Sequence, residues 1–299
     1  MGDLARPRFG FHADLAPNRV ERLAKTRFAG LWVAGSPDAL AGRTVAVVGA
    51  RAPSEAARAH ARTLGEALAR AGVCVVSGLA LGIDAGAHEG SLAGGGHTVG
   101  VLGGGHRRFF PRRNRDLAAR ILDAGGAVLS PFAPDEPARP AQFLQRNGVV
   151  AALADAVVVV EAAARSGALN TAGWAADLGI DVLAYPGDVD RPKAAGCNAL
   201  IRDGATLARG PDDVLEALGL GRSGTPAGGR ARAEAFERAS PLERRILTVL
   251  AGGPVDFETV LARAEASVPE VAATLVALEI AGTIGRAGPS YVLVTTAPK

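Results

Sequence analysis

The stretch SGLALGIDAGAHEG, residues 77–90, places a carboxylate and an imidazole four residues apart, Asp84 and His88. That is the spacing at which two side chains share a helix face. General acid–base work also needs a nucleophile or a substrate anchor nearby, and the neighbours here are Gly, Ala, Leu and Ile. An Asp at a helix start is more commonly a cap, and His88 reads as structural. Glu161 ends an apolar run, a position that catalytic carboxylates do occupy, but it stands alone. No candidate strand leads into a GxGxxG, and GxxxxGK[ST] is excluded because none of the three lysines (Lys25, Lys193, Lys299) follows a Gly. Cys74 and Cys197 are far apart and lack metal-ligand spacing. The reading is therefore no catalytic residue, no metal and no cofactor.

Arginine carries more information. Residues 106–120 hold Arg107, Arg108, Arg112, Arg113, Arg115 and Arg120 against Asp116 alone, a local balance of +5. Arg51, Arg146 and Arg165 fall in or near other loops. Phe109, Phe110 and Phe143 lie among them in a chain that is only 4% aromatic. Guanidinium groups with a few rings suit single-stranded nucleic acid, whose phosphates pair with charge while its bases stack. The plainer alternatives are a solvated face for the Arg run and core packing for one of Phe109 and Phe110. The pI of about 9.2 permits an anionic partner.

These residues need a frame. Apolar runs at 44–49, 73–78, 98–103, 127–130, 156–161 and 181–187 alternate with Ala-rich helical patterns, and ATLA (205–208) adds a seventh run. Near-continuous Val implies strands covered on both faces, hence a mostly parallel, doubly wound α/β sheet. FAGLWVAG adds one edge strand to an otherwise short N-terminal extension, 1–43. The α/β domain spans 44–219 and a Gly-rich linker 220–235. A small domain over 236–299 opens with an N-cap at Ser240 and Pro241, then reads as three helices and a hairpin around Gly-Pro, a winged helix. The glycine-rich turns follow the first, second, third, fifth and sixth strands, where open α/β sheets bind ligands. Gly78 and Gly82 are expected to let backbone come close to an anion, and Asp84 to fix the start of the next helix. No segment reads as a signal peptide or a membrane span, so a cytoplasmic protein without membrane contact is expected.

The runs VAVVGARAPS (45–54), VVSGLALGIDAGAHEGSL (75–92), TVGVLGGGHRRFFPRRNRDLA (98–118), FLQRNGVVAALADAVVVVEAAARSGALNTA (143–172) and the PGD and GCNALIRDGA segments (186–205) together resemble the DNA-processing protein A (DprA/Smf) family. The similarity covers about 44–216, and 240–295 resembles the family's winged-helix domain. It implies an extended Rossmann-like core that binds single-stranded DNA without catalysis. It also implies a homodimer that protects incoming DNA and loads a RecA-type recombinase in natural transformation and recombination. By motif position it places phosphate contacts at Arg51, Arg146, Asn147, Arg165, Ser166 and Gly167, and matches Pro111 and Asn114 to a P-x-x-N loop. With the surrounding turns, the candidate DNA-binding set is Gly49, Arg51, Ser77, Gly78, Gly82, Arg112, Arg113, Asn114, Phe143, Arg146, Asn147, Arg165, Ser166, Gly167, Thr171 and Asn198. Three residues depart from the pattern. Gly148 replaces a basic residue, Ala50 a common Ser, and Asn170 an aliphatic one.

Two other readings compete. Related Rossmann-like enzymes cleave nucleoside monophosphates at the N-glycosidic bond, but their PGGxGTxxE signature is absent, since PGD here leads into VDRPK. A transcription factor would read duplex DNA with the winged helix. Residues 234–299, however, carry eight acidic against six basic residues, a poor footprint for phosphate neutralisation. That module is expected to serve mainly in protein contacts.

Overall fold

The computed structural model describes residues 4, 7–9, 15–28, 30–220, 240–250, 255–264, 266–280, 284–287 and 290–293. Its strands are β1 (Arg8–Phe9), β2 (Trp32–Gly35), β3 (Thr44–Val48), β4 (Cys74–Ser77), β5 (Thr98–Val101), β6 (Ala127–Ser130), β7 (Ala156–Val159), β8 (Asp181–Ala184) and β9 (Thr206–Leu207). They form one sheet in the order β1-β2-β6-β5-β4-β3-β7-β8-β9. From β6 to β9 every pairing is parallel; β2 joins β6, and β1 joins β2, antiparallel. The sheet is thus mostly parallel, as its Val runs imply. Trp32–Gly35 lies one place in from the expected edge because Arg8–Phe9 pairs outside it.

Every residue of β3 to β7 is buried. Among the described residues, helices that connect and cover the strands are α1 (Pro17–Ala24), α2 (Glu55–Arg70), α3 (Ile83–Ala93), α4 (Arg115–Asp123), α5 (Pro140–Ala152), α6 (Gly167–Asp177), α7 (Ala195–Arg202) and α8 (Pro211–Ala217). Alternation along the strands sorts the core into two layers. Ala46, Val48, Val76, Val157 and Val159 pack with residues of α5 and α6. Val45, Val47, Val75 and Val158 pack with residues of α2 and α3. Such two-sided burial is why the strands read as continuous apolar runs.

The N-terminal helix is tied to this core by charge. Arg19 is buried and bonds the carbonyls of Leu40 and Gly42 and the Asp155 carboxylate, the last at 2.8 Å. Asp155 also accepts the Thr44 amide at 2.9 Å, holding the start of β3.

The connection order creates the site. From β3 the chain steps through β4 and β5 to β6 on one side, then crosses to place β7, β8 and β9 on the other. The strand order therefore reverses between β3 and β7, which opens a crevice at their carboxyl ends. The five glycine-rich turns leave β3, β4, β5, β7 and β8, five adjacent parallel strands, and so share one edge of the sheet.

Residues 1–221 and 222–299 form two compact units. In the second, α9 (Pro241–Leu250), α10 (Phe257–Ala264), α11 (Val268–Ile280) and the hairpin of β10 (Ile284–Ala287) and β11 (Ser290–Leu293) give the expected three helices and hairpin. Ser240 caps α9 reciprocally. Its amide donates to the Glu243 carboxylate at 2.7 Å, and its hydroxyl accepts from the Glu243 amide at 3.3 Å. Linker residues 221–235 and the Gly-Pro turn lie outside the described residues. Among the described residues no helix is long and apolar enough to cross a membrane.

Candidate nucleic-acid interface

The crevice between β3 and β7 holds a pocket of about 190 Å³, lined by Gly49, Arg51, Asp84, Arg146, Asn147, Ser166, Gly167 and Thr171 among others. Seven of the sixteen candidate residues thus meet in one cavity. They come from the turn after β3, from α5, and from the turn and first helical residues after β7.

Each is placed for a physical reason. Ser166 caps α6, its hydroxyl accepting from the Ala168 amide at 3.2 Å. Gly167, the first helical residue, has nothing within 4 Å of where a Cβ would stand. The start of α6 is therefore open to an incoming group, and the positive end of the helix dipole there favours an anion. Asn147 donates to the Gly167 carbonyl at 3.1 Å and to Asn170 Oδ1 at 3.2 Å. Asn170, which departs from the family pattern, therefore supports a site residue. Gly148 faces Trp174, whose ring would lie 3.0 Å from an added Cβ. A long basic side chain at 148 would meet that ring rather than the pocket.

Arg146 is only 4% exposed, and its Nε has no hydrogen-bond partner. Burial holds its pKa down to about 10; Asp84 raises it and Arg51 lowers it further. Burial in turn raises the Asp84 carboxyl above the ordinary range, against the pull of Arg146 and of the amides it accepts. A buried guanidinium held this way costs free energy that an arriving anion offsets.

Beside the pocket, the Arg51 and Arg146 guanidiniums lie 5.3 and 6.0 Å from the ring centroid of Phe143. Phe110 sits 5.9 Å from Phe143 and is half exposed, whereas Phe109 is buried. One of the two phenylalanines is core and the other surface. Phe110, absent from the candidate set, belongs to this aromatic pair; the sequence alone did not separate it from its neighbour.

The glycines of residues 77–90 have a different cause from the one expected. A Cβ on Gly78 would stand 1.3 Å from Arg146 Nη1, and on Gly82 (φ +85°) 2.3 Å from the Ala50 carbonyl. Gly86 and Gly90 face the carbonyls of Arg58 and Arg62 across the α2–α3 contact. All four stand close against other parts of the protein. Asp84 does not cap α3 either; it accepts the Gly78 and Ala80 amides at 3.0 and 3.3 Å, closing the turn before the helix.

The remaining candidates are dispersed. Gly82, Arg113 and Asn114 line a second cavity that shares Arg51 with the first. Asn114 is buried and donates to the carbonyls of Leu79 and Ala80, pinning the turn after β4. Ser77 is fully buried, its hydroxyl given to the Val47 carbonyl at 2.6 Å. Asn198 clasps Gly187 through both its amide groups. Arg112 and Arg165 are exposed and line neither cavity. Two contacts escaped sequence reasoning. Glu161 accepts the Ser54 amide and hydroxyl at 3.0 and 2.7 Å, and Lys193 Nζ reaches the Ala52 carbonyl at 2.6 Å.

The fold and this crevice define a doubly wound α/β protein with an anion-suited pocket at its switch point, followed along the chain by a winged-helix unit. The family model for DNA recombination-mediator protein A matches residues 10–219, and that for the DprA winged helix domain matches 230–288. Protein Smf of Escherichia coli is 38% identical over 275 residues, covering 90% of this chain and 73% of that protein. DprA of Streptococcus pneumoniae is 39% identical over 185 residues, 62% of this chain and 65% of that protein. The crystal structure of the pneumococcal protein superposes with a TM-score of 0.65 at 33% identity, covering 72% of this chain and 75% of that one. The Helicobacter pylori protein, solved for its single-stranded DNA binding mode, superposes at 0.63 with 25% identity over 72% of this chain and 97% of its own. The chain belongs to the DNA recombination-mediator protein A (DprA/Smf) family.

Proposed function

We propose that this protein binds single-stranded DNA along the carboxyl edge of its sheet, without catalysis, and delivers it to a RecA-type recombinase while acting as a homodimer. The observation that carries the reading is the meeting of Arg51, Arg146, Asn147, Ser166 and Gly167 in one small crevice, with Phe143 and Phe110 beside it. A phosphate fits between the two guanidiniums and the open start of α6. Neighbouring bases stack on the ring pair, which is sequence-tolerant because every base has a π-face. The single-stranded DNA binding reported for the Helicobacter pylori relative supports the same chemistry here.

The competing hydrolase reading finds its strand-end carboxylate, Glu161, already engaged. Both Glu161 oxygens are taken by Ser54. His88 is buried, its Nδ1 lies 2.7 Å from Thr98 Oγ1, and its pKa is held down to about 3. Titrating labelled single strands and duplexes of equal length at fixed salt tests the reading; preference for the single strand is expected, and equal or duplex-biased binding refutes it. Faster filament assembly by a RecA-type recombinase on the bound strand tests delivery, and sedimentation tests the dimer. Release of free base from nucleoside monophosphates would establish the hydrolase instead.

A further inference from the structure

The second cavity, about 510 Å³, shares Arg51 with the first. Its walls are Arg58 and Glu55 near the start of α2, Glu89 on α3, and Arg113 and Asn114 from the loop after β5. Pro53, Leu81 and Ala85 supply apolar surface. The size falls in the range of small-molecule sites, roughly 300–1,000 Å³, whereas the first pocket is about 190 Å³.

The charges narrow the occupant. Glu89 is paired with Arg58 at 3.4 Å. Among the described residues neither Arg51 nor Arg113 takes part in an ion pair, which leaves two guanidiniums against Glu55 and a net lining charge of +1. That balance suits one phosphodiester rather than a run of them, and the apolar surface suits one base and sugar.

We propose that this cavity is a second nucleotide subsite. A strand anchored in the crevice passes over Arg51 and seats its adjoining nucleotide here, with Arg51 and Arg113 sharing the linking phosphate. The inference rests on the proposed single-stranded DNA binding. It gives Arg51 a double role, since the residue lines both cavities. It also gives Asn114 a positioning role: by holding the Leu79 and Ala80 carbonyls it keeps Leu81 in the wall.

The test is fluorescence anisotropy of a labelled 20-mer of deoxythymidylate across a salt series, with the full chain and its Arg51→Ala, Arg113→Ala and Arg120→Ala variants. Arg120 is exposed and lines neither cavity. Folding of each variant is checked by thermal melt. Arg113→Ala is expected to bind roughly tenfold more weakly and to lower the slope of log K against log salt by about 0.7, one phosphate contact on a single strand. Arg120→Ala should stay within about twofold of the parent. If Arg113→Ala matches the parent while Arg51→Ala is weakened, the subsite is refuted and the crevice stands. If Arg113→Ala and Arg120→Ala weaken binding equally, the effect is a diffuse field and the subsite is again refuted. If Arg51→Ala also binds as the parent does, the underlying DNA-binding reading fails with it.

Discussion

The guanidinium of Arg146 occupies the space a side chain on residue 78 would need: Nη1 lies 1.3 Å from the position of a Cβ on Gly78. The glycine after β4 and the arginine of α5 are therefore one device. Gly78→Ala is expected to push Arg146 out of the crevice and to weaken oligonucleotide binding by about as much as Arg146→Ala, with the double variant no weaker than either alone. A double-mutant cycle by anisotropy checks this, and additive losses would separate the two residues.

Gly82 is constrained by backbone. Its φ of +85° and the Ala50 carbonyl 2.3 Å from a built Cβ leave no room for a side chain. Gly82→Ala should cost at least about 1 kcal/mol of stability, read as a lowered melting temperature. An unchanged melt would show that the turn after β3 can move away freely.

These two glycines mark where sequence reading stopped. Burial on both faces made the strands legible as Val runs, and parallel pairing then fixed all five turns on one edge. Arg51, Arg146, Ser166 and Gly167, placed by the family resemblance, line one crevice in the structure. A glycine shows only that something comes close, however, and not what. At Gly78 it is an arginine, at Gly82 a carbonyl, and at Gly86 and Gly90 a neighbouring helix. Ser77, Asn114 and Asn198 turned out to hold backbone, because what a side-chain hydroxyl or amide does is read from its partners, which lie 11 to 35 residues away along the chain. Lys193 on Ala52 and Phe110 on Phe143 are likewise tertiary contacts without a local signal.

Acid should unfold the protein partly through His88. Burial and the Arg146 charge depress its pKa to about 3 from an ordinary 6.5. Below pH 6.5 the unfolded chain takes up a proton that the folded protein refuses until about pH 3. Stability from this group is therefore complete above pH 6.5 and falls as the pH drops, by up to ~1.4 kcal/mol per pH unit. Melting temperatures of the parent and His88→Gln between pH 7 and 4 check the sign. The parent should lose more than the variant; parallel curves would mean that His88 already titrates normally in the folded state.

In the winged-helix unit, α11 carries no Lys or Arg along Val268–Ile280, and the Thr274 hydroxyl is given to the Glu270 carbonyl at 2.7 Å. Such a helix offers little to phosphates or base edges. Residues 234–299 alone are expected to leave duplex DNA unshifted in gels at physiological salt. Submicromolar binding would overturn the expectation of protein contacts.

The central claim is that two arginines from different elements grip one strand at the β3–β7 crevice. The most direct measurement is the affinity of the Arg51→Ala and Arg146→Ala variants for a labelled oligo(dT) at one fixed salt concentration, after melts confirm both are folded. Each should bind more weakly by about 1–3 kcal/mol through loss of a charge-assisted contact. Parent-like affinity in both variants would contradict the account.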